Sequence, residues 1–533
     1  MIEVQIAGAG AGKTHGLAEK IIKHYDPTSY KKIFAITYTN NAARKISEAI
    51  IKQLGYLPEN IVVCTIHTFL LNEIIYPYSP YILNERYTTS SRCKTFSNFP
   101  PGKPDEQKKR ETASTISRLK RSGVIHVDDT YAAAWRVVDE NYYKHSSEKS
   151  KSKVRKVHKL LSSAIDKIFL DEAQDLDKTA LKAFQQIGEN SVDIYMVGDP
   201  KQAIDYPESF KDWLAANKTN EKVKILPTIT TSRRVPQRIL DLSNTFCPRG
   251  QEQTSLSEVE GRLTYITSED DHYDEVLRHH IENGSLVSIL RKQGNYSTKQ
   301  AGSLPEFDPE IEEIFTKKFP EYEERVVIYS LQRHFASLLS SNDNNTSIRK
   351  FIAKIDIPYE KEQFKKLCRS AEQYSSSKDN SAKYAISSIQ RTKGLESEVC
   401  VLVITEGIYK FLTKENLKKI DKYNKTWNIV YVALTRTKSD IIIAIDKDLF
   451  DGKRPISDVI KGLENLGFRR LELVSDNRYS KWKFHTRRVK QGFQGVAVRS
   501  INGGTTTTIY GCISSSAEDS ISKTKLITDK YGR

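Results

Sequence analysis

Residues 2–14, IEVQIAGAGAGKT, decide how the rest of the chain is read. An apolar strand runs into a glycine turn, and THGLAEKIIKHY after it has helical spacing. Strand, glycine-rich turn, GKT and helix is the context that a phosphate-binding loop requires. Gly8, Gly10 and Gly12 let the backbone curl so that its N–H groups, those of Ala9 and Ala11 among them, face a triphosphate at the helix N-terminus. Lys13 is placed to reach the β- and γ-phosphates, and Thr14 to offer its hydroxyl to Mg²⁺. Ala7 stands where the pattern has its first glycine. The added methyl is a modest change, because Gly12-Lys13-Thr14 does the close cradling. By itself the motif does not separate a kinase from a GTPase or a motor.

Outward from that loop, strand-turn-helix units repeat. KKIFAIT leads into NNAARKISEAIIKQL, and IVVCTI into HTFLLNEII, the rhythm of a parallel α/β sheet. The rhythm breaks from about 76 to 164, where the turn-rich SNFPPGKP gives way to basic helical stretches, and resumes with KIFLDEA, DIYMVGD and VKILP. A second alternating region follows from about 231, with LTYITS, SLVSILR, YAISSI, VCVLVI and DIIIAI as its strands. The expectation is two α/β domains, the first interrupted by a mainly helical insertion.

With 533 residues and 38% apolar content, the chain has length for three or four cores. Its net charge of +16 favours a polyanionic partner. No run of about 18 apolar residues is present, so no membrane partner is expected. The first residues lack the basic-then-apolar order of a secretory signal. Cysteines at 64, 93, 247, 368, 400 and 512 are too scattered for a zinc site or a disulfide framework, which fits a reducing cytoplasm.

KIFLDEAQD narrows the chemistry. An apolar strand that ends in acids puts Asp171 at the carboxyl edge of the sheet, beside the phosphate loop. There Asp171 can share in holding Mg²⁺ and Glu172 can polarise an attacking water. Two acids opening a helix would be the ordinary alternative; a neighbouring phosphate loop argues against it.

Eight stretches then resemble, in kind and in order, the motifs of the UvrD/Rep/PcrA-type superfamily 1 DNA helicases. They are AGAGAGKTHGL, TYTNNAARKI, CTIHTF, LDEAQD, VGDPKQAI, RRVPQRILDLSN, SIQRTKGLESEV and YVALTRTK. The resemblance implies two tandem RecA-like P-loop motor domains, the first over 1–75 and 165–230 and the second over 231–295 and 381–450. It leaves a helical insertion at 76–164, a reduced accessory insertion at 296–380 and a basic appendage at 451–533. By the same resemblance Gln202 senses the γ-phosphate, and Arg234 and Arg436 reach from the second domain towards ATP held by the first. His15 and Arg233 occupy the positions that flank adenine, although the usual tyrosine is missing. Glu396 matches the ribose contact. Tyr38, Thr65 and His67 match residues that line the single-stranded DNA path.

After Gln202 the family carries an aromatic-rich stretch, whereas this chain reads Asp205-Tyr206-Pro207-Glu208. Tyr206 can replace one ring, but acids beside a phosphate backbone weaken the hold. Cation-rich helices from Lys108 to Arg121 and from Lys149 to Lys159 add positive charge. So does the tail, where Tyr479, Trp482 and Phe484 interleave with cations. The expected function is an ATP- and Mg²⁺-dependent helicase moving 3′ to 5′ on single-stranded or 3′-tailed DNA. The alternative is a DNA-stimulated ATPase that acts with a partner such as a nuclease, without processive unwinding.

Overall fold

The computed structural model describes residues 1–91, 105–143, 148–298, 304–322, 324–356, 360–377, 383–415, 425–450 and 452–472. The turn SNFPPGKP, the side chains of Lys108 and Lys109, and the aromatic-cationic tail lie outside the described residues.

In chain order the strands of the first lobe are β1 (Ile2–Ile6), β2 (Lys32–Thr37) and β3 (Ile61–Thr65), a short pair β4 (Thr89–Ser91) and β5 (Val124–His126), then β6 (Ile165–Leu170), β7 (Asp193–Gly198) and β8 (Val223–Ile225). β4 and β5 pair only with each other; the other six form one parallel sheet in the order β3-β2-β6-β7-β1-β8. Strands such as β2, where Ile33, Phe34, Ala35 and Ile36 are all buried, are apolar throughout because helices cover both faces. The turns carry their own instructions. Thr39 caps the helix Asn40–Leu54 by accepting the Ala42 N–H, and Gly55 ends it in the left-handed region at φ 83°.

The sheet order fixes the site. β6 lies beside β7 and β7 beside β1, so the ends of these three strands put Asp171, Asp199 and the glycine loop side by side at one edge.

The helical insertion is not a separate body. Tyr131, Ala134, Val137 and Val138 of the helix Thr130–Val138, and Val157 and Leu161 of the helix Glu148–Ala164, share one core with Ile168 and Phe184 of the sheet layer.

The second lobe contains β9 (Thr231–Ser232), β10 (Thr254–Ser255), β11 (Arg262–Thr267), β12 (Leu286–Ile289), β13 (Tyr296–Ser297), β14 (Tyr384–Ala385), β15 (Ser387–Ser388), β16 (Ser397–Ile404), β17 (Thr437–Ile445) and β18 (Arg469–Arg470). Its parallel sheet runs β15-β12-β16-β17-β11-β18, with β9–β10 and β13–β14 as separate pairs. YAISSI, read from sequence as one strand, is divided between two sheets: β14 pairs with β13 and β15 with β12. The stacked rings of Tyr296 and Tyr384 and the bond from Ile386 N–H to the Ser297 carbonyl hold the first half away from the main sheet.

The stretch from 451, read as an appendage, begins with structure that belongs to the second lobe. The helix Ile456–Asn465 buries Val459 and Leu463, and β18 pairs with β11 at Thr264 and Tyr265. Among the described residues between β13 and β14, the polar stretch forms four helices, Pro309–Lys318, Glu324–Ser341, Asn344–Ile355 and Lys361–Ser377, around a core that includes Phe307, Phe315, Phe335 and Phe351.

Candidate nucleotide cleft and nucleic-acid track

The glycine loop is pinned at its start and free to curl at its middle. Ala7 N–H donates to the Gly198 carbonyl and Gly8 N–H to that of Ile229, while Gly10 and Gly12 take φ of 71° and 78°. Gly12 caps the helix Lys13–His24 from a left-handed conformation that a side chain would strain. Lys13 Nζ lies 3.4 Å from the Ala7 carbonyl oxygen, curled over the loop. Thr14 Oγ donates to Asp171 Oδ2 at 3.3 Å.

Asp171 is buried at the end of β6, and its burial together with the adjacent Glu172 charge pushes its pKa up to about 7, against the pull of Lys13. Glu172 goes the other way. Burial disfavours its charge, but Lys13, Lys393, Gln174 and Arg436 overcome that and hold it below the usual range. It also adopts a left-handed φ of 55°, uncommon for a residue with a side chain. A buried carboxylate short of compensating charge, next to the Thr14 hydroxyl, is an all-oxygen donor set that fits Mg²⁺.

Asp199, at the end of β7, organises the next layer. It accepts from Gln202 Nε2 at 2.9 Å and pairs with the almost fully buried Lys201 at 3.0 Å. Lys201 and Lys13 keep it ionised in spite of its burial. Gln202 turns its Oε1 towards the second lobe, where Arg436 Nη2 donates at 3.0 Å. Arg436 is itself buried at the end of the helix Lys425–Leu434 and donates through Nε to the Val432 carbonyl. Burial and the neighbouring Arg234 draw its pKa down to about 10, while Glu172 works in the opposite direction. Glu172, Arg234 and Arg436 therefore sit within one electrostatic neighbourhood, although β6 and the two arginines come from different lobes.

Arg234 pairs with Glu396 at 2.6 Å, and Glu396 also with Lys438 at 3.0 Å. Of the two residues at the adenine-flanking positions, His15 is exposed and paired with Glu19, and Arg233 donates its backbone N–H to the Gly10 carbonyl.

Besides Asp199 and Lys201, other residues of the cleft carried no earlier assignment. Lys393 pairs with Asp175 across the lobes. Gln253 and Tyr431 reach the glycine loop itself. Lys393 and Tyr431 lie inside stretches quoted above and could have been singled out from their motifs; Gln253 sits in a polar loop with no sequence signal.

The track residues lie along the first lobe beyond the cleft. Tyr38 follows β2 and is 38% exposed, and Tyr206 is 39% exposed. Burial, then the charges of Asp175 and Asp205, push the Tyr38 hydroxyl up to about 12, which places the two acids near the ring. Thr65 is occupied locally, accepting the Thr68 N–H at 3.2 Å as a helix cap. His67 packs against Tyr131 of the insertion with ring centroids 5.0 Å apart. The Tyr131 hydroxyl is buried with no hydrogen-bond partner.

The fold sets two parallel α/β lobes around one cleft, where the glycine loop of the first lobe meets side chains of the second. Residues 4–207 match the family model of the UvrD/REP helicase N-terminal domain. The chain is 22% identical to Gabija protein GajB of Bacillus cereus (strain VD045) over 493 residues, 83% of this chain and 92% of that protein. It is 25% identical to the ATP-dependent DNA helicase PcrA of Bacillus subtilis (strain 168) over 233 residues, 37% of this chain and 31% of PcrA. No helix among the described residues is long and apolar enough to cross a membrane.

Proposed function

We propose that the chain is a DNA-dependent ATPase that translocates 3′ to 5′ on single-stranded DNA and separates duplex ahead of it. The observation that carries this reading is the hydrogen bond from Arg436 to Gln202 across the lobes, with Glu172 and Arg234 beside it. Lys13 and the loop N–H groups would bind the triphosphate, and Thr14 and Asp171 would hold Mg²⁺, whose charge supports the transferred phosphoryl group. Glu172, kept ionised by the cations around it, orients and deprotonates the attacking water. Arg234 and Arg436 neutralise charge on the phosphoryl oxygens only when the lobes are closed. Gln202, bonded both to Asp199 of the first lobe and to Arg436 of the second, ties hydrolysis to closure. Repeated closure moves a strand held along Tyr38, Thr65, His67 and Tyr206, where ring–base stacking is worth roughly 1–3 kcal/mol per base.

A second reading is a DNA-stimulated ATPase that works with a partner protein, a nuclease for example, and unwinds little alone. The acids at Asp205 and Glu208 beside the track and the compact accessory insertion favour it. The match along 92% of GajB, against 31% of PcrA, supports reading the chain as a GajB-like protein. Unpaired thiols at Cys64, Cys247, Cys368 and Cys400 suit work in the cytoplasm.

ATP turnover with and without single-stranded DNA, run beside displacement from 3′-tailed and 5′-tailed duplexes, tests both readings. The first expects stimulated turnover and displacement from the 3′-tailed substrate only. Stimulated turnover without displacement selects the second, and turnover indifferent to DNA removes both.

A further inference from the structure

Gln253 lies in the loop between the helix Gln237–Asn244 and β10, outside every motif quoted above, yet its side chain is buried against the phosphate loop. Its carboxamide makes a two-point bond with the backbone of a single residue: Oε1 accepts the Ala9 N–H at 3.1 Å, and Nε2 donates to the Ala9 carbonyl at 2.9 Å. A carboxamide can do this because it carries donor and acceptor side by side; neither a carboxylate nor a methyl can. The loop is shaped to receive it, since a Cβ at Gly8 would overlap the Gln253 carboxamide.

The side chain is held from behind on both of its levels. Asn244 Nδ2 donates to the Gln253 carbonyl and Asn244 Oδ1 accepts the Gln253 N–H, both at 2.8 Å, so the loop is clamped to the helix that follows Arg234. Tyr431, on the helix that leads to Arg436, donates its hydroxyl to Gln253 Oε1 at 2.6 Å. That hydroxyl is also 3.4 Å from both Ala9 N and Asp199 Oδ2. Asp199 in turn accepts from Gln202, the partner of Arg436. Apart from the half-buried Asn244 clamp, these links are buried, where a polar group left unpaired costs about 1–3 kcal/mol.

We propose that Gln253 is a positioning residue for nucleotide hydrolysis: it seats the second lobe on the Ala9 backbone and, through Tyr431 and Asp199, sets the phosphate loop in register with Gln202 and Arg436. This rests on the ATPase reading above. Arg436 supplies charge to the reacting group, whereas Gln253 acts on the loop that holds it. Loss of Gln253 therefore leaves the nucleotide-binding elements of the first lobe in place and removes the alignment that closure delivers. The effect falls on kcat more than on KM.

The experiment measures DNA-stimulated ATP turnover by the full chain and its variants Gln253→Ala, Gln253→Glu, Tyr431→Phe and the Gln253→Ala/Tyr431→Phe pair, with Lys13→Ala as reference. Amide hydrogen exchange of the 7–12 segment is followed in parallel without nucleotide. Gln253→Ala is expected to lower kcat at least tenfold with KM for ATP moved less than threefold. Gln253→Glu, which cannot donate to the Ala9 carbonyl and adds a charge beside the triphosphate, should lose more. Tyr431→Phe should lose less, and should add little on the Gln253→Ala background because both act through one network. Exchange in the 7–12 segment should speed up in Gln253→Ala.

Normal kcat in Gln253→Ala, full additivity of the two substitutions, or unchanged exchange would each overturn the proposal. A rise in kcat/KM would do so too, since the carboxamide would then obstruct the triphosphate rather than align its loop. An inactive Lys13→Ala beside a fully active Gln253→Ala would remove this inference alone. Turnover that survives Lys13→Ala would remove the ATPase reading beneath it, and the exchange result would then decide whether the contact exists.

Discussion

The candidate nucleotide cleft and the proposed nucleic-acid track are both built on the edge of the first sheet, yet they are made differently. In the cleft, Asp171, Asp199, Lys201, Gln202 and Arg436 are all at most 4% exposed, and each is hydrogen-bonded or ion-paired. In the track, Tyr38 and Tyr206 keep over a third of their surface in solvent, with acids rather than cations near them. The difference teaches what each region has to do. A buried, pre-set network is worth most where charge develops during reaction, because low dielectric strengthens every contact in it. A track must release what it binds at each step, so half-exposed rings that stack without locking suit it better.

Substitutions that break the contrast should rank accordingly. The largest effect is expected for Arg436→Ala, which takes a guanidinium from the reacting group and leaves Gln202 Oε1 without its partner; kcat should fall by roughly 10³-fold or more, with nucleotide affinity largely kept. Steady-state turnover beside equilibrium binding of a fluorescent ATP analogue measures both. Glu172→Gln should follow, lowering kcat by roughly 10²–10⁴-fold, again with nucleotide still bound. Near-normal turnover in either variant would withdraw the catalytic assignment of that residue. Tyr38→Ala should be milder, weakening single-stranded DNA binding by about 1–3 kcal/mol, or roughly 5- to 150-fold in Kd. Fluorescence anisotropy with a labelled oligonucleotide would show it, and an unchanged Kd would make Tyr38 a half-buried packing residue. A Tyr38 effect as large as that of Arg436 on kcat would dissolve the contrast itself.

Much of the fold was legible beforehand for a simple reason. A strand covered on both faces needs a continuous apolar run, and KIFAIT, KIFLDEA and DIIIAI supply it without help from their surroundings. The same holds for the glycine loop, whose conformation is local. Short or shared elements were harder to see. YAISSI is long enough for one strand, but its two halves are captured by different partners. The 451–470 segment gives little strand signal, and β18 is only two residues long; its place in the second sheet follows from the edge that β11 leaves open. The four-helix insertion has polar helices whose phenylalanines converge only when the helices pack.

The glycine loop and the strand-end acids put Lys13, Asp171 and Glu172 in one candidate site from the residues alone, whereas Gln202, Arg234 and Arg436 joined it only through the family resemblance. Which of them touch was decided in three dimensions. Arg436 meets Gln202 and Lys393 meets Asp175 only because two sheets far apart along the chain come together, while Arg234 meets Glu396 within the second lobe. Gln253 is the extreme case: a glutamine in a polar loop has no periodicity or spacing to mark it, and its meaning comes entirely from the peptide it lands on.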